Sequence, residues 1–175
     1  MRLLAAGVLL ALCSTGAGAQ TPAAQGAPVA SLTQTVWGIL GYARWPGQPE
    51  ALQLCLVGET PYAAALQAGT KLPDGRTVQV KRIALEGSAP LQGCHAVYAG
   101  RLHGGQWQQL MAAWPKSQPL LTLSEDAGAC QLGGMFCLDV SKAPVSFELS
   151  LDSMARSGVR VNPRVLSLAR HKEGG

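Results

Sequence analysis

Apolar residues at Val29, Leu32, Val36, Ile39, Leu40 and Ala43 recur at the spacing of one helix face and predict a first helix. Trp45-Pro46 should stop it, because the residue before a proline avoids the α region. Leu52-Gln-Leu-Cys-Leu-Val57 is a short, nearly continuous apolar run and reads as a buried strand. Thr60 can cap a second helix, with Pro61 at its first position and the body running through Leu66. Pro73-Asp-Gly75 marks a turn, Thr77 to Lys81 alternates as a strand, and His95 to Ala99 supplies a third strand. Between Gly105 and Trp114, the residues Trp107, Leu110, Met111 and Trp114 fall on one helical face, a stripe that reads as core.

Pro119 to Leu123 is a fourth strand, Met135 to Val140 a fifth and Val145 to Leu149 a sixth. Asp152 is placed to cap a short helix closed by Gly158, and Asn162-Pro163 opens a last helix with Val165, Leu166, Leu168 and Ala169 as apolar positions. Strands alternate with helices for two-thirds of the chain, and then two strands follow one another. That order predicts a single-domain α/β sandwich whose sheet is mixed, parallel in part with an antiparallel hairpin added.

The first residues change the meaning of the cysteines. Met1-Arg2, the apolar run Leu3 to Leu12 and Ala17-Gly18-Ala19 form a secretory signal peptide, residues 1–19, cut before Gln20. The apolar run is too short for a bilayer of about 30 Å. A lipoprotein signal at Cys13 is the other reading, and bulky Leu12 in front of it argues against that. Residues 20–28 are Ala, Gln, Gly, Thr and Pro and read as a flexible lead-in, 29–170 as the folded domain, and 171–175 as a disordered tail.

Export leaves Cys55, Cys94, Cys130 and Cys137, an even number in an oxidising compartment. Three pairings are possible and spacing alone does not choose among them. Proximity along the chain favours Cys130–Cys137, where Gly133-Gly134 allows a tight reversal, and that leaves Cys55–Cys94. Zinc and redox roles fit poorly, since no Cys-x-x-Cys pair occurs and His95 and His103 do not fall at finger spacing. No cofactor and no metal are expected.

The formal net charge is +4, or +3 once Arg2 leaves with the leader, and the cations are scattered rather than blocked, so nucleic acid is not an expected partner. No nucleophile elbow, metal spacing or phosphate loop accompanies His95, His103 or the carboxylates of Ser124-Glu125-Asp126. His95 reads as a structural histidine and Ser124 to Gly128 as a solvated loop. The residues leave open an exported hydrolase acting through His95 or Glu125 and a periplasmic ligand-binding module. For contact with a partner, Glu148 points away from Phe147 and Leu149, Met154 follows in a short helix, and Arg160 lies on the next extended run. Those three could form one patch; otherwise Glu148 is merely solvated and Met154 is core. Trp45 is a second candidate, as an exposed anchor.

Several stretches carry a resemblance. Tyr-Ala-Arg-Trp-Pro (42–46), Leu-Cys-Leu-Val-Gly (54–58), the Gly-Gly-Met turn (133–135), Val-Ser-Phe-Glu-Leu (145–149) and the run 157–170 together resemble the YfiR family of periplasmic proteins, DUF4154. Asn162 is a departure from the family pattern, at a position where it can cap a helix. The resemblance implies two disulfides, Cys55–Cys94 and Cys130–Cys137. It also implies regulation rather than catalysis: repression of an inner-membrane diguanylate cyclase similar to YfiN, relief by an outer-membrane lipoprotein similar to YfiB, a homodimer, and control of cyclic di-GMP and biofilm formation.

Overall fold

The computed structural model describes residues 22–85 and 91–169, so the leader, Gln20, Thr21 and the tail lie outside the described residues. The first helix, α1, spans Pro22–Tyr42 and begins well before the apolar spacing does. Most of the expected flexible lead-in is therefore helical. Pro22 is tolerated in a first turn because its missing N–H has no intrahelical acceptor, and the following alanines are strong helix formers. Pro28 lies inside α1, where its fixed φ still matches the helix although one backbone hydrogen bond is lost. Leu32, Val36, Ile39 and Leu40 are fully buried, as the periodicity predicts.

The elements after α1 are β1 (Ala43–Arg44), β2 (Ala51–Val57), α2 (Ala63–Gln67), β3 (Thr70–Lys71), β4 (Thr77–Arg82), β5 (Ala96–Ala99), α3 (Gln106–Ala112) and β6 (Leu121–Ser124). A 3-10 segment at Ala127–Leu132 leads to β7 (Phe136–Asp139), β8 (Ser146–Leu149), α4 (Leu151–Arg156) and β9 (Arg160–Val161). A second 3-10 turn, Pro163–Val165, runs into α5 (Leu166–Ala169). Seven strands form one mixed sheet in the order β3-β4-β2-β5-β6-β7-β8. The five inner strands are parallel, and β3 and β8 are antiparallel edges. The expected mixed sheet with an added hairpin is borne out.

Strand β2 explains the order. Leu52, Leu54 and Leu56 on one face and Cys55 and Val57 on the other are all buried, so this strand needs neighbours and cover on both sides. It pairs with β4 and β5. Each such leucine contributes roughly 1.5–3 kcal/mol by leaving water. Cys55 bridges to Cys94, with Cα atoms 5.8 Å apart and a sequence separation of 39. Cys130 bridges to Cys137 at 6.0 Å. Gly133, at φ 92°, ends the 3-10 segment between them, and a Cβ on Gly134 would stand 2.7 Å from the Ala129 carbonyl. Both disulfides match the pairing expected from the sequence.

One cap differs from expectation. Ser150, not Asp152, receives the Ser153 N–H at the start of α4 (3.3 Å), because the helix begins two residues earlier than a cap at Asp152 implies. Asp152 pairs with Arg156 one turn on instead. Thr60 does accept the Tyr62 N–H, at 3.2 Å, while Asn162 accepts the Arg164 N–H as predicted.

The chain leaves β2 toward β4 on one side and leaves β5 toward β6 on the other. Right-handed crossovers then put the connections on opposite faces, and the carboxyl ends of β2 and β5 become the place where α/β sheets ordinarily open a ligand crevice. Here that place is stitched shut. Glu59 N–H donates to the Arg101 carbonyl (3.1 Å) and Arg101 N–H to the Glu59 carbonyl (2.7 Å). Beside this bridge, the phenol of buried Tyr98 and the hydroxyl of Thr60 both donate to Glu125 Oε1, at 2.6 and 2.5 Å. Burial, reinforced by the Glu125 carboxylate, pushes the Tyr98 phenol far above its ordinary pKa, so it stays a donor. Glu125, expected in a solvated loop, is thus a half-buried clasp between three segments.

Only residues without a side chain fit under the stitch. A Cβ on Gly58, itself at φ +74°, would sit 2.6 Å from the Arg101 carbonyl, and one on Gly100 would collide with the Glu59 carbonyl. Gly100→Ala should therefore cost about 2–3 kcal/mol in urea unfolding, whereas Gly104→Ala, whose Cβ meets nothing within 4 Å, should stay close to wild type.

Candidate functional site

The C-terminus of α1 is built around two arginines. No glycine closes the helix; instead Arg76 donates to the Leu40 and Gly41 carbonyls at 3.1 and 3.5 Å, and Arg44 to those of Gly41 and Ala43 at 2.7 and 2.8 Å. Cations at a helix C-terminus satisfy its last carbonyls and offset its dipole. Asp74, in the Pro73-Asp-Gly75 turn, lies between them, 2.7 Å from Arg76 and 3.2 Å from Arg44. The Arg76 hydrogen bond, aided by the nearby Arg44 charge, holds the Asp74 carboxyl below its ordinary value despite partial burial. β1 pairs antiparallel with β9, Ala43 opposite Val161 and Arg44 opposite Arg160, and so ties the end of α1 to the C-terminal segment.

These connections frame an open groove of about 980 Å³. Trp37, Gly38, Gly41 and Tyr42 of α1 form one wall, Thr70 to Asp74 another, and Arg160 to Asn162 with Arg164 and Leu168 the third. Apolar Trp37, Tyr42, Leu72 and Leu168 make its floor, and Arg44, Lys71, Arg160 and Arg164 stand around it. Asp74 is the only acid on the rim among the described residues, and it is already engaged by Arg44 and Arg76. Lys71, Arg160 and Arg164 make no side-chain hydrogen bond or ion pair among the described residues. The rim is cationic with charge to spare.

A family model described as DUF4154, YfiR/HmsC-like, matches residues 31–170. The chain belongs to the YfiR/HmsC-like family. Membership gives it a periplasmic regulatory role in general terms, within a family that regulates rather than catalyses. Two disulfides fit an oxidising compartment. Among the described residues, no helix is long and apolar enough to cross a membrane.

Within this YfiR/HmsC-like domain, the residues singled out from sequence are scattered. Arg160 is exposed on the groove rim. Glu148 is exposed on β8 and lines a different, smaller groove of about 310 Å³ with Lys142 and Phe147. Met154 is half-buried and packs on the core. Trp45 is not the exposed anchor expected: it is 4% exposed, its Nε1 donates to the His95 carbonyl (2.9 Å), and the Arg76 guanidinium lies 5.9 Å from its ring centre. The reason is topological, since β1 pairs with β9 directly before Trp45. His95 is structural as read, its Nδ1 accepting the Gln53 N–H at 2.9 Å, and burial lowers its pKa.

The sequence reading missed Trp37, Arg44, Lys71, Leu72, Asp74, Arg76, Arg164 and Leu168. The local signal for part of this was Gly38 and Gly41 one turn apart on α1, which leave its groove face without side chains at those positions. Asp74→Asn should lower stability by about 1 kcal/mol at neutral pH, a screened, partly exposed contribution. The folded pKa lies below 3.8, so the wild-type advantage is full above that value and is lost as pH falls through the lower folded value. Chemical denaturation of both proteins along a pH series would check it; an advantage that persisted in strong acid would be inconsistent.

Proposed function

We propose that this protein is a periplasmic repressor that binds the periplasmic sensor region of an inner-membrane diguanylate cyclase similar to YfiN and so holds down cyclic di-GMP and biofilm formation. An outer-membrane lipoprotein similar to YfiB would relieve that repression, and the repressor would work as a homodimer. The observation that carries the reading is the family match over residues 31–170, nearly the whole mature domain. A stapled sheet and an accessible cationic groove suit a protein that acts by contact. The hydrolase alternative loses its two residues to structural bonds, His95 to the Gln53 N–H and Glu125 to Thr60 and Tyr98. The ligand-binding alternative keeps one observation in its favour, the volume of the groove.

Deleting the gene should raise cellular cyclic di-GMP, and supplying the wild-type gene should lower it again; an unchanged level in both strains would end the repressor reading. Glu148 and Met154 are proposed contacts as well, with Arg160 as a third. Glu148→Lys should weaken binding of the purified chain to the cyclase's periplasmic region by several-fold without lowering the melting temperature. Unchanged affinity would remove Glu148 from the interface.

The disulfides should matter to the same interaction. The chain-entropy account assigns about 4 kcal/mol to the longer loop and about 2.5 kcal/mol to the shorter one, comparable together to a domain's whole stability. Reductant should lower both the melting temperature and the affinity for the cyclase. A protein that kept both when fully reduced would show the bridges to be dispensable.

A further inference from the structure

Resting on the repressor reading, we propose that the groove beside α1 is the seat of an acidic amphipathic segment of the membrane partner, its apolar face on Trp37 and Leu168 and its carboxylates on Arg160 and Arg164. Three features point to that occupant. The groove follows α1 from Gln34 to Tyr42, a run of about 12 Å, or roughly two turns of a facing helix. Its volume of about 980 Å³ stands at the upper end of small-molecule sites, yet it is an open trough and not an enclosing pocket. Gly41 has nothing within 4 Å of where its Cβ would be, so another backbone can approach α1 closely there.

Charge decides the sign of the partner. Arg160 and Arg164 are exposed and have no acid of this chain beside them among the described residues, while Asp74 is neutralised by Arg44 and Arg76. Cations left unpaired around an apolar floor favour a segment that brings both carboxylates and apolar side chains. A basic or neutral segment of the same hydrophobicity would leave that rim repelled or idle. Arg44 joins as a swing group: half exposed, it can share its guanidinium between Asp74 and an incoming carboxylate while still holding the end of α1.

The test uses the full exported chain and two labelled probes of about 14 residues, both amphipathic helices with leucine on one face. One carries glutamate along the flank and its twin carries glutamine. Fluorescence anisotropy should show the glutamate probe binding in a salt-sensitive way, with the glutamine twin about tenfold weaker. Arg160→Glu combined with Arg164→Glu should also cost about tenfold. Those side chains make no hydrogen bond or ion pair among the described residues, so the melting temperature should stay put. Gly41→Leu, which fills the trough without touching the rim, should block the probe independently.

Equal binding of both probes, failure of both to bind wild type, or indifference to both variants would overturn the proposal. So would saturable binding of benzoate that Gly41→Leu abolishes while neither peptide binds, since the groove would then take a small anion. Cyclic di-GMP in cells separates this from the reading beneath it. A wild-type chain that does not repress sinks the repressor reading whatever the groove does. Wild type and the double arginine variant repressing equally sinks the groove alone.

Discussion

Strand β2 has to be covered on both faces and paired on both edges, and the rest of the molecule is arranged to meet that requirement. Its leucines and its Val57 cannot face water, so β4 and β5 flank it in parallel and helices close over the sheet. Cys55 in the middle of this strand fastens it to the approach of β5, limiting how far the two can part even in an unfolded chain. Because the winding reverses between β2 and β5, the carboxyl ends of these strands would otherwise gape. The Glu59–Arg101 bridge and the Glu125 clasp close that edge.

Closing the usual crevice moves the accessible surface elsewhere. The α1 end is tied down by Arg76 and Arg44 rather than by a glycine cap, which draws the Pro73–Asp74 turn against the helix. The β1–β9 pair brings the C-terminal segment to the opposite side. A trough is left between them, and the same guanidinium that caps the helix reaches its rim. Stability of the helix end and the charge of the groove therefore share one group, the Arg44 guanidinium.

Such an architecture suits a regulator more than a catalyst. The polar groups that a hydrolytic site would need are spent on holding segments together: Tyr98 and Thr60 on Glu125, His95 on the β2 backbone. What the groove keeps unspent is charge over an apolar floor, which can recognise a shape and a sign. Family membership and this distribution of polar groups agree.

The chain by itself determined what depends on neighbours a few residues away. The helical stripe of Leu32 to Leu40, the buried run around Cys55, the reversal at Gly133 and the Asn162 cap each follow from local periodicity or local turn chemistry, and each stands where the pattern put it. Proximity along the chain favoured Cys130 with Cys137 without choosing among the three pairings, and the structure shows that bridge. Tertiary structure alone decided the fate of Trp45, the role of Glu125 and the existence of the groove. Trp45 is buried because a strand from the far end of the chain pairs beside it. The groove walls come from residues 34–44, 70–74 and 160–168, segments whose separate patterns say nothing about one another. Long-range pairing placed them together, and no short window of sequence carries that information.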